Sequence, residues 1–285
     1  MEDARTYDID GVTVPRLFYG TAWKEDATER LVTLALDQGF RGFDTANQRK
    51  HYFEAGTGSA LAKAVKAGRV RREDLFLQTK FTFRRGQDHR LPYDEDAPAA
   101  TQVAQSFDKS LEHLQTDYVD GLVLHGPWTG ERLHPVDWQV WRAMEAIHKQ
   151  GRVRLLGVSN FNLEQVRLLC ARAAVKPRFV QNRCYASRAW DRDIRAFCAT
   201  EGIRYQGFSL LTANRALVGH AGFKDLAARH GKTPAQTVFR FALDVGMIAL
   251  TGTRDAAHMA QDLDIFDFAL TPEEIAAVET VATLR

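Results

Sequence analysis

The sequence predicts an α/β protein: a single (β/α)8 barrel with an N-terminal β-hairpin and a short C-terminal tail. Eight short runs rich in β-branched and aromatic residues recur along the 285 residues, each followed by a stretch with helical spacing of apolar positions. Strict alternation of this kind implies parallel strands joined by right-handed crossovers. Eight such units close a barrel and do not suit a doubly wound sheet. No linker interrupts the series, so residues 1–285 are expected to form one domain.

The elements follow in order. Tyr7 to Val14 alternates around Asp10-Gly11, the signature of a hairpin with a type I′ turn. The eight barrel strands are expected at Leu17–Ala22, Arg41–Thr45, Leu75–Lys80, Tyr118–His125, Val153–Ser159, Arg178–Gln181, Ile203–Ser209 and Met247–Gly252. Helices are expected between them at Thr28–Gln38, Gly58–Ala67, Ala97–Leu114 and Asp137–Gln150, the last with Asp137 as N-cap and Gly151 past its end. Leu163–Ala173, Asp191–Thr200, Gly222–Arg229 and Pro234–Val245 continue the series, and Thr271–Val281 ends it, capped by Thr271 with Pro272 next.

Composition excludes several classes of function. With 38 Lys+Arg against 36 Asp+Glu the net charge is +2, and the basic clusters Arg69–Arg72 and Arg84–Arg85 are short, so no nucleic-acid partner is expected. The 3 cysteines show no C-x-x-C, which argues against a disulfide framework and against a metal site. No apolar run approaches the roughly 20 residues of a membrane span, and the polar start Met1-Glu-Asp-Ala-Arg is unlike a signal peptide. A cytoplasmic protein, monomeric or weakly oligomeric, is expected.

The active site of such a barrel lies where strands end and βα loops begin. The second to fourth strands end in Asp44, Lys80 and His125; the next four end in Ser159-Asn160, Gln181-Asn182, Phe208-Ser209 and Thr251-Gly252-Thr253-Arg254. Each of these has an ordinary reading as a cap, a turn or a solvated charge. Lys80 closes an apolar run and precedes Phe81, so its ammonium needs a counter-ion, which Asp44 on the next strand can supply. An acid, an amine and an imidazole on successive strands converge on one point.

These residues resemble the aldo-keto reductase family over nearly the whole chain. Gly39-Phe-Arg-Gly-Phe-Asp44-Thr-Ala46 with Glu54 and Gly58, Leu-Gln-Thr-Lys80, Asp117-Tyr-Val-Asp120 leading to His125, and Gly157-Val-Ser-Asn160 are four of its motifs in order. The resemblance implies a barrel that reduces aldehydes or ketones to alcohols with NAD(P)H, with Asp44, Tyr52, Lys80 and His125 as the catalytic set. The stretch before Glu54 is two residues longer than the family's, and ungapped counting puts His51 at the tyrosine position, with Tyr52 adjacent. Tyr52 is preferred because proton donation needs a phenol, and His51 is the alternative. The implied chemistry is a proton from Tyr52, whose pKa near ~10 an adjacent Lys80 would lower, while His125 orients the carbonyl.

The resemblance further implies that Ser159, Asn160 and Gln181 contact the nicotinamide carboxamide and that Phe208 stacks on the ring. Ser209 and Leu211 fall where the family contacts the pyrophosphate. After the last strand, Gly252 and His258 stand where many members carry the Lys and Arg that grip the 2′-phosphate of NADPH; Thr253, Arg254, His258, Gln261 and Asp262 are what this sequence offers instead. NADPH is the expected cofactor, with NADH the alternative if Arg254 is merely solvated. Trp23, Phe81 and Trp128 are expected to wall the pocket of a small carbonyl substrate, with Phe83, Tyr185 and Trp190 as further candidates. The long loop from Thr82 to Asp94 is a candidate lid, and the end of the chain at Arg285 implies an open pocket of broad selectivity. Two other readings stand beside this one: a nicotinamide-binding sensor or regulatory subunit with little turnover, and an unrelated barrel using Lys80 as a Schiff-base nucleophile.

Overall fold

A computed structural model describes residues 5–281. The polar N-terminus (1–4) and the C-terminal tail (282–285) on which two expectations rest lie outside the described residues. β1 (Thr6–Ile9) and β2 (Val12–Pro15) form the expected antiparallel hairpin. Asp10 (φ 53°) and Gly11 (φ 77°) both have positive φ, as a type I′ turn requires.

Eight parallel strands then close a barrel: β3 (Leu17–Gly20), β4 (Gly42–Asp44), β5 (Phe76–Phe81), β6 (Val119–Leu124), β7 (Val153–Ser159), β8 (Phe179–Arg183), β9 (Arg204–Phe208) and β10 (Ile248–Thr251). β10 pairs back onto β3, with Ala249 opposite Leu17 and Leu250 opposite Phe18. Around it run α1 (Thr28–Gln38), α2 (Glu54–Lys66), α3 (Ala99–Leu114), α4 (Pro135–Lys149), α5 (Leu163–Arg172), α6 (Arg192–Thr200), α7 (Arg215–Gly219), α8 (Ala221–Arg229), α9 (Pro234–Asp244), α10 (Ala256–Leu263) and α11 (Pro272–Val281).

Several elements differ from expectation by a residue or more, and some of the differences have identifiable reasons. α2 starts at Glu54, four residues before Gly58, because its glycines serve close packing and do not mark its start. A Cβ on Gly58 would lie 2.0 Å from the His113 carbonyl oxygen of α3. α4 is capped by His134, not Asp137; Asp137 is the third helical residue, and its carboxylate accepts from the amides of His134 and Trp128, both at 2.7 Å. α7 and α10 were not expected, and α10 grows directly from the segment after β10, with the Asp255 side chain accepting from the His258 amide.

The side-chain period of two separates the strands' faces. At the barrel floor Phe18, Phe76, Leu155, Phe179 and Ile248 pack together, and Ile9, Val12 and Val14 of the hairpin join the same cluster. Gly42 leaves room for Phe18, whose ring lies 2.4 Å from where a Cβ would be. Two residues further along their strands the interior turns polar: Asp44 follows Gly42, Gln78 follows Phe76 and Gln181 follows Phe179. A large apolar cluster joins the outward faces of the strands to the helices, with Leu77, Phe81, Leu122 and Leu156 among its members.

Candidate active site

The same alternation that puts Phe76 and Gln78 inside the barrel brings Lys80 inside next, at the mouth. Its ammonium donates to Asp44 Oδ1 (2.7 Å) and Oδ2 (2.6 Å) and to the Thr45 carbonyl (2.8 Å), so all three donors are used. Asp44 Oδ1 also accepts from Gln78 Nε2 (2.7 Å) and Gln181 Nε2 (3.0 Å). Gln206 ties both glutamines together from β9, its Oε1 accepting from them at 2.9 and 2.8 Å. Lys80 and Asp44 are 1% and 3% exposed, so this network holds a buried ion pair with its valences met. Burial draws the Lys80 ammonium below the usual lysine range, and Asp44 opposes that.

Tyr52 arrives on the loop between β4 and α2, its amide donating to the Gln48 carbonyl at 2.9 Å. Its ring centroid lies 5.1 Å from Lys80 Nζ and 5.9 Å from that of His125. His51 is turned elsewhere: its ring stacks on Trp23 with centroids 4.1 Å apart, and Nδ1 meets Gln48 Oε1 at 3.0 Å. Of the two candidates, Tyr52 therefore stands beside the ion pair. Burial, seconded by Asp44, raises the Tyr52 phenol above its ordinary pKa. That is opposite to the expected lowering, because burial dominates and the Asp44 charge adds to it. The phenol is thus held protonated at neutral pH.

His125 follows β6, its amide donating to the Phe81 carbonyl (2.9 Å) and its Nδ1 lying 2.7 Å from Thr82 Oγ. Burial and the nearby Lys80 charge hold the imidazole well below its ordinary range, so it is neutral. Nε2 makes no hydrogen bond among the described residues.

A cavity of about 1350 Å³ opens over this group and extends round the mouth to β9, β10 and the β3–α1 loop. Ser159, Asn160 and Gln181 lie on its wall, and so do Phe208, Ser209 and Leu211. Asn160 adopts a positive φ of 59° and donates to the His125 carbonyl (2.8 Å) and to Ser159 Oγ (3.1 Å). The amide oxygens of Asn160 and Gln181 accept nothing among the described residues. Thr253, Arg254, His258, Gln261 and Asp262 line the far end; burial pushes the Asp262 carboxyl up to about 6 while Thr251 Oγ donates to it at 2.6 Å.

The expected substrate wall is only partly there. Trp23 lines the cavity and is 60% exposed. Phe81 does not line it: one residue beyond Lys80, it points outward by strand parity and packs on Phe83 and Tyr93. Phe83 lines the cavity instead. Trp128 sits behind Phe83, ring centroids 5.2 Å apart, and is not on the wall. Tyr185 also lies off the wall, and Trp190 is buried with its indole N–H donating to the Val278 carbonyl.

Sequence reasoning missed Gln78 and Gln206, which the alternation alone could have found, each two residues before an inward side chain. It also missed a set of cations. Lys24, Arg85, Arg183, Arg215 and Lys224 line the cavity together with the expected Arg254, and none of the six makes an ion pair among the described residues. A dinucleotide fits this chemistry: a long cavity with unpaired cations along it, Lys24 and Arg254 at the β3–β10 end, and free amide oxygens and the Phe208 ring nearer the ion pair. The three thiols are buried and raised, Cys170 to about 11 and Cys184 and Cys198 to about 12, so none is a nucleophile. Among the described residues no helix is long and apolar enough to cross a membrane, and no group of three His, Cys, Asp or Glu side chains could hold a metal.

Comparison with known proteins gives a consistent result. The model of the Aldo/keto reductase family matches residues 16–283. A glyoxal reductase of Bacillus subtilis is 29% identical over 95% of this chain and 90% of its own length. A methylglyoxal reductase of Escherichia coli O157:H7 is 30% identical, covering 94% and 90%. The crystal structure of an aldo/keto reductase from Brucella melitensis aligns with TM-score 0.79 at 28% identity, over 97% of this chain and 98% of that one.

Proposed function

The chain belongs to the aldo/keto reductase family, whose members are oxidoreductases acting on carbonyls with nicotinamide cofactors, and from this premise we propose that it reduces small aldehydes with NADPH. The observation that carries the reading is the meeting of a protonated phenol, a locked ammonium and a neutral imidazole at one cavity mouth. The nicotinamide, when bound, supplies the hydride. Phe208 would offer it a flat face, the Asn160 and Gln181 amide oxygens would accept from its carboxamide, and Ser159 Oγ would donate to it.

As hydride adds to the carbonyl carbon, negative charge builds on oxygen, and the Tyr52 hydroxyl gives up its proton there. Lys80 then stabilises the phenolate left behind, and Asp44 holds that ammonium in place, a positioning role. The fixed His125 ring presents Nε2–H to the same oxygen. A raised phenol pKa suits a donor that must stay protonated until the charge appears. The similarity to reductases of glyoxal and methylglyoxal makes 2-oxoaldehydes the first substrates to try. Turnover of NADPH with methylglyoxal by the purified protein tests the reading. Tyr52→Phe is expected to lower kcat about 10²- to 10⁴-fold with little change in the Kd of NADPH, and His51→Phe to change kcat far less. Nucleotide binding without turnover of any aldehyde would favour the sensor reading instead.

A further inference from the structure

The β3 and β10 ends of the cavity carry a feature that the acid–base chemistry does not use. Lys24, in the loop after β3, is 4% exposed, lines the cavity and donates from Nζ to the Gly252 carbonyl. In the opposite direction Arg254 donates to the Trp23 carbonyl, and Tyr19 Oη donates to the Thr253 carbonyl at 2.9 Å. Two loops from adjacent strands are thus laced together by a buried ammonium, 5.5 Å from the Tyr19 ring centroid, and an exposed guanidinium, and neither has a carboxylate partner among the described residues. A buried ammonium beside a guanidinium is unfavourable unless an anion joins them. The position of Lys24 is also particular. Its Nζ lies 3.5 Å from where a Cβ on Gly252 would be, so the ammonium of one loop fills the space a side chain of the other would use.

Resting on the cofactor placement above, we propose that Lys24 and Arg254 seat the 2′-phosphate of NADPH, Lys24 supplying from the β3 loop the ammonium that position 252 lacks. The geometry favours a monoester phosphate beyond the pyrophosphate. With the nicotinamide on Phe208 and the pyrophosphate at Ser209 to Leu211, the adenosine end runs on to the neighbouring strand β10 and then to β3. The Thr253 hydroxyl, next to Arg254 in sequence, is a further donor. Arg254 offers a fork that matches phosphate oxygens, and Lys24 a point charge. A burial-lowered Lys24, down to about 8, agrees with an ammonium that lacks its anion.

Fluorescence titration of wild type, Lys24→Met and the double variant Lys24→Met/Gly252→Lys with NADPH and NADH tests this. Position 252 has an ordinary φ and no atom nearer than 3.5 Å to a new Cβ, so the replacement lysine fits. Lys24→Met is expected to raise the Kd of NADPH about 10- to 100-fold, the range of a lost charge-assisted contact, and that of NADH less than about threefold. The double variant regains most of the NADPH affinity, which a merely structural Lys24 would not allow. Competition by 2′,5′-ADP is expected to weaken in parallel, and that by 5′-AMP to stay constant. An equal loss of both nucleotides would place Lys24 on a group they share and overturn the proposal, as would no loss of either. If wild type binds neither nucleotide, the cofactor reading itself fails, and the assignment of Lys24 with it.

Discussion

At the β4–β6 side of the cavity the buried Lys80 ammonium gives its three donors to Asp44 and the Thr45 carbonyl, and four side chains share the Asp44 network. At the β10–β3 side the Lys24 ammonium, less deeply buried, has the Gly252 carbonyl, the Tyr19 ring 5.5 Å away and the neighbouring cation Arg254. One end carries its own counter-charge before any ligand arrives; the other does not. The difference separates two uses of buried charge. A compensated pair fixes geometry, which a proton-transfer site needs. An uncompensated cation stores unfavourable energy that a bound anion releases, which a binding site needs.

The largest effect should come from breaking the compensated end. Lys80→Met leaves the Asp44 carboxylate buried without its cation, and about 3–5 kcal/mol of stability should be lost in urea unfolding, with kcat down more than about 10³-fold. Asp44→Asn/Lys80→Met should be more stable than Lys80→Met alone; a double variant as unstable as the sum of the singles would show that the pair is not a unit.

A smaller effect concerns His125. An unfolded histidine takes up its proton near 6.5, whereas burial keeps the folded His125 neutral well below that. The unfolded chain therefore binds more protons as pH falls below 6.5, and folded stability drops with it, by up to about 1.4 kcal/mol per pH unit. Comparing the urea midpoints of wild type and His125→Gln between pH 5 and 7 checks this. The wild type should lose more on acidification, and parallel curves would remove His125 as the cause.

The smallest effect sharpens the comparison from the other end. Lys24 falls from an ordinary 10.5 to about 8 on folding, so the unfolded chain binds more protons between those values and stability rises with pH across that window. Below 8 the full penalty is carried. Lys24→Met should therefore raise the Tm of the nucleotide-free protein at pH 7 by about 2–4 °C, a gain that fades toward pH 10. A lower Tm would mean that the bond to Gly252 outweighs the buried charge, and the contrast with Lys80 would lose its basis.

The barrel was legible because its signals are local. Period-two runs, caps and the Asp10-Gly11 turn each report on a few neighbouring residues, and Val153–Ser159 and Thr28–Gln38 were read to the residue. The helix start at Glu54 was not, because the glycine at 58 answers to His113 on another helix. Phe81 was misplaced although the parity that puts Lys80 inside already put it outside. Trp128 and Trp190 could not be sorted the same way, since loop residues carry no parity.

By itself the sequence determined the order of the strands, the inward placement of Asp44, Lys80 and His125, and the chemistry they can share, since covalent alternation fixes which side chains leave a strand on the same face. Only the tertiary structure decided that Tyr52, and not His51, stands beside Lys80, and that Lys24 lies against Gly252, 228 positions along the chain. These are contacts across barrel closure and loop paths, set by which distant segments pack together, and no local pattern encodes them.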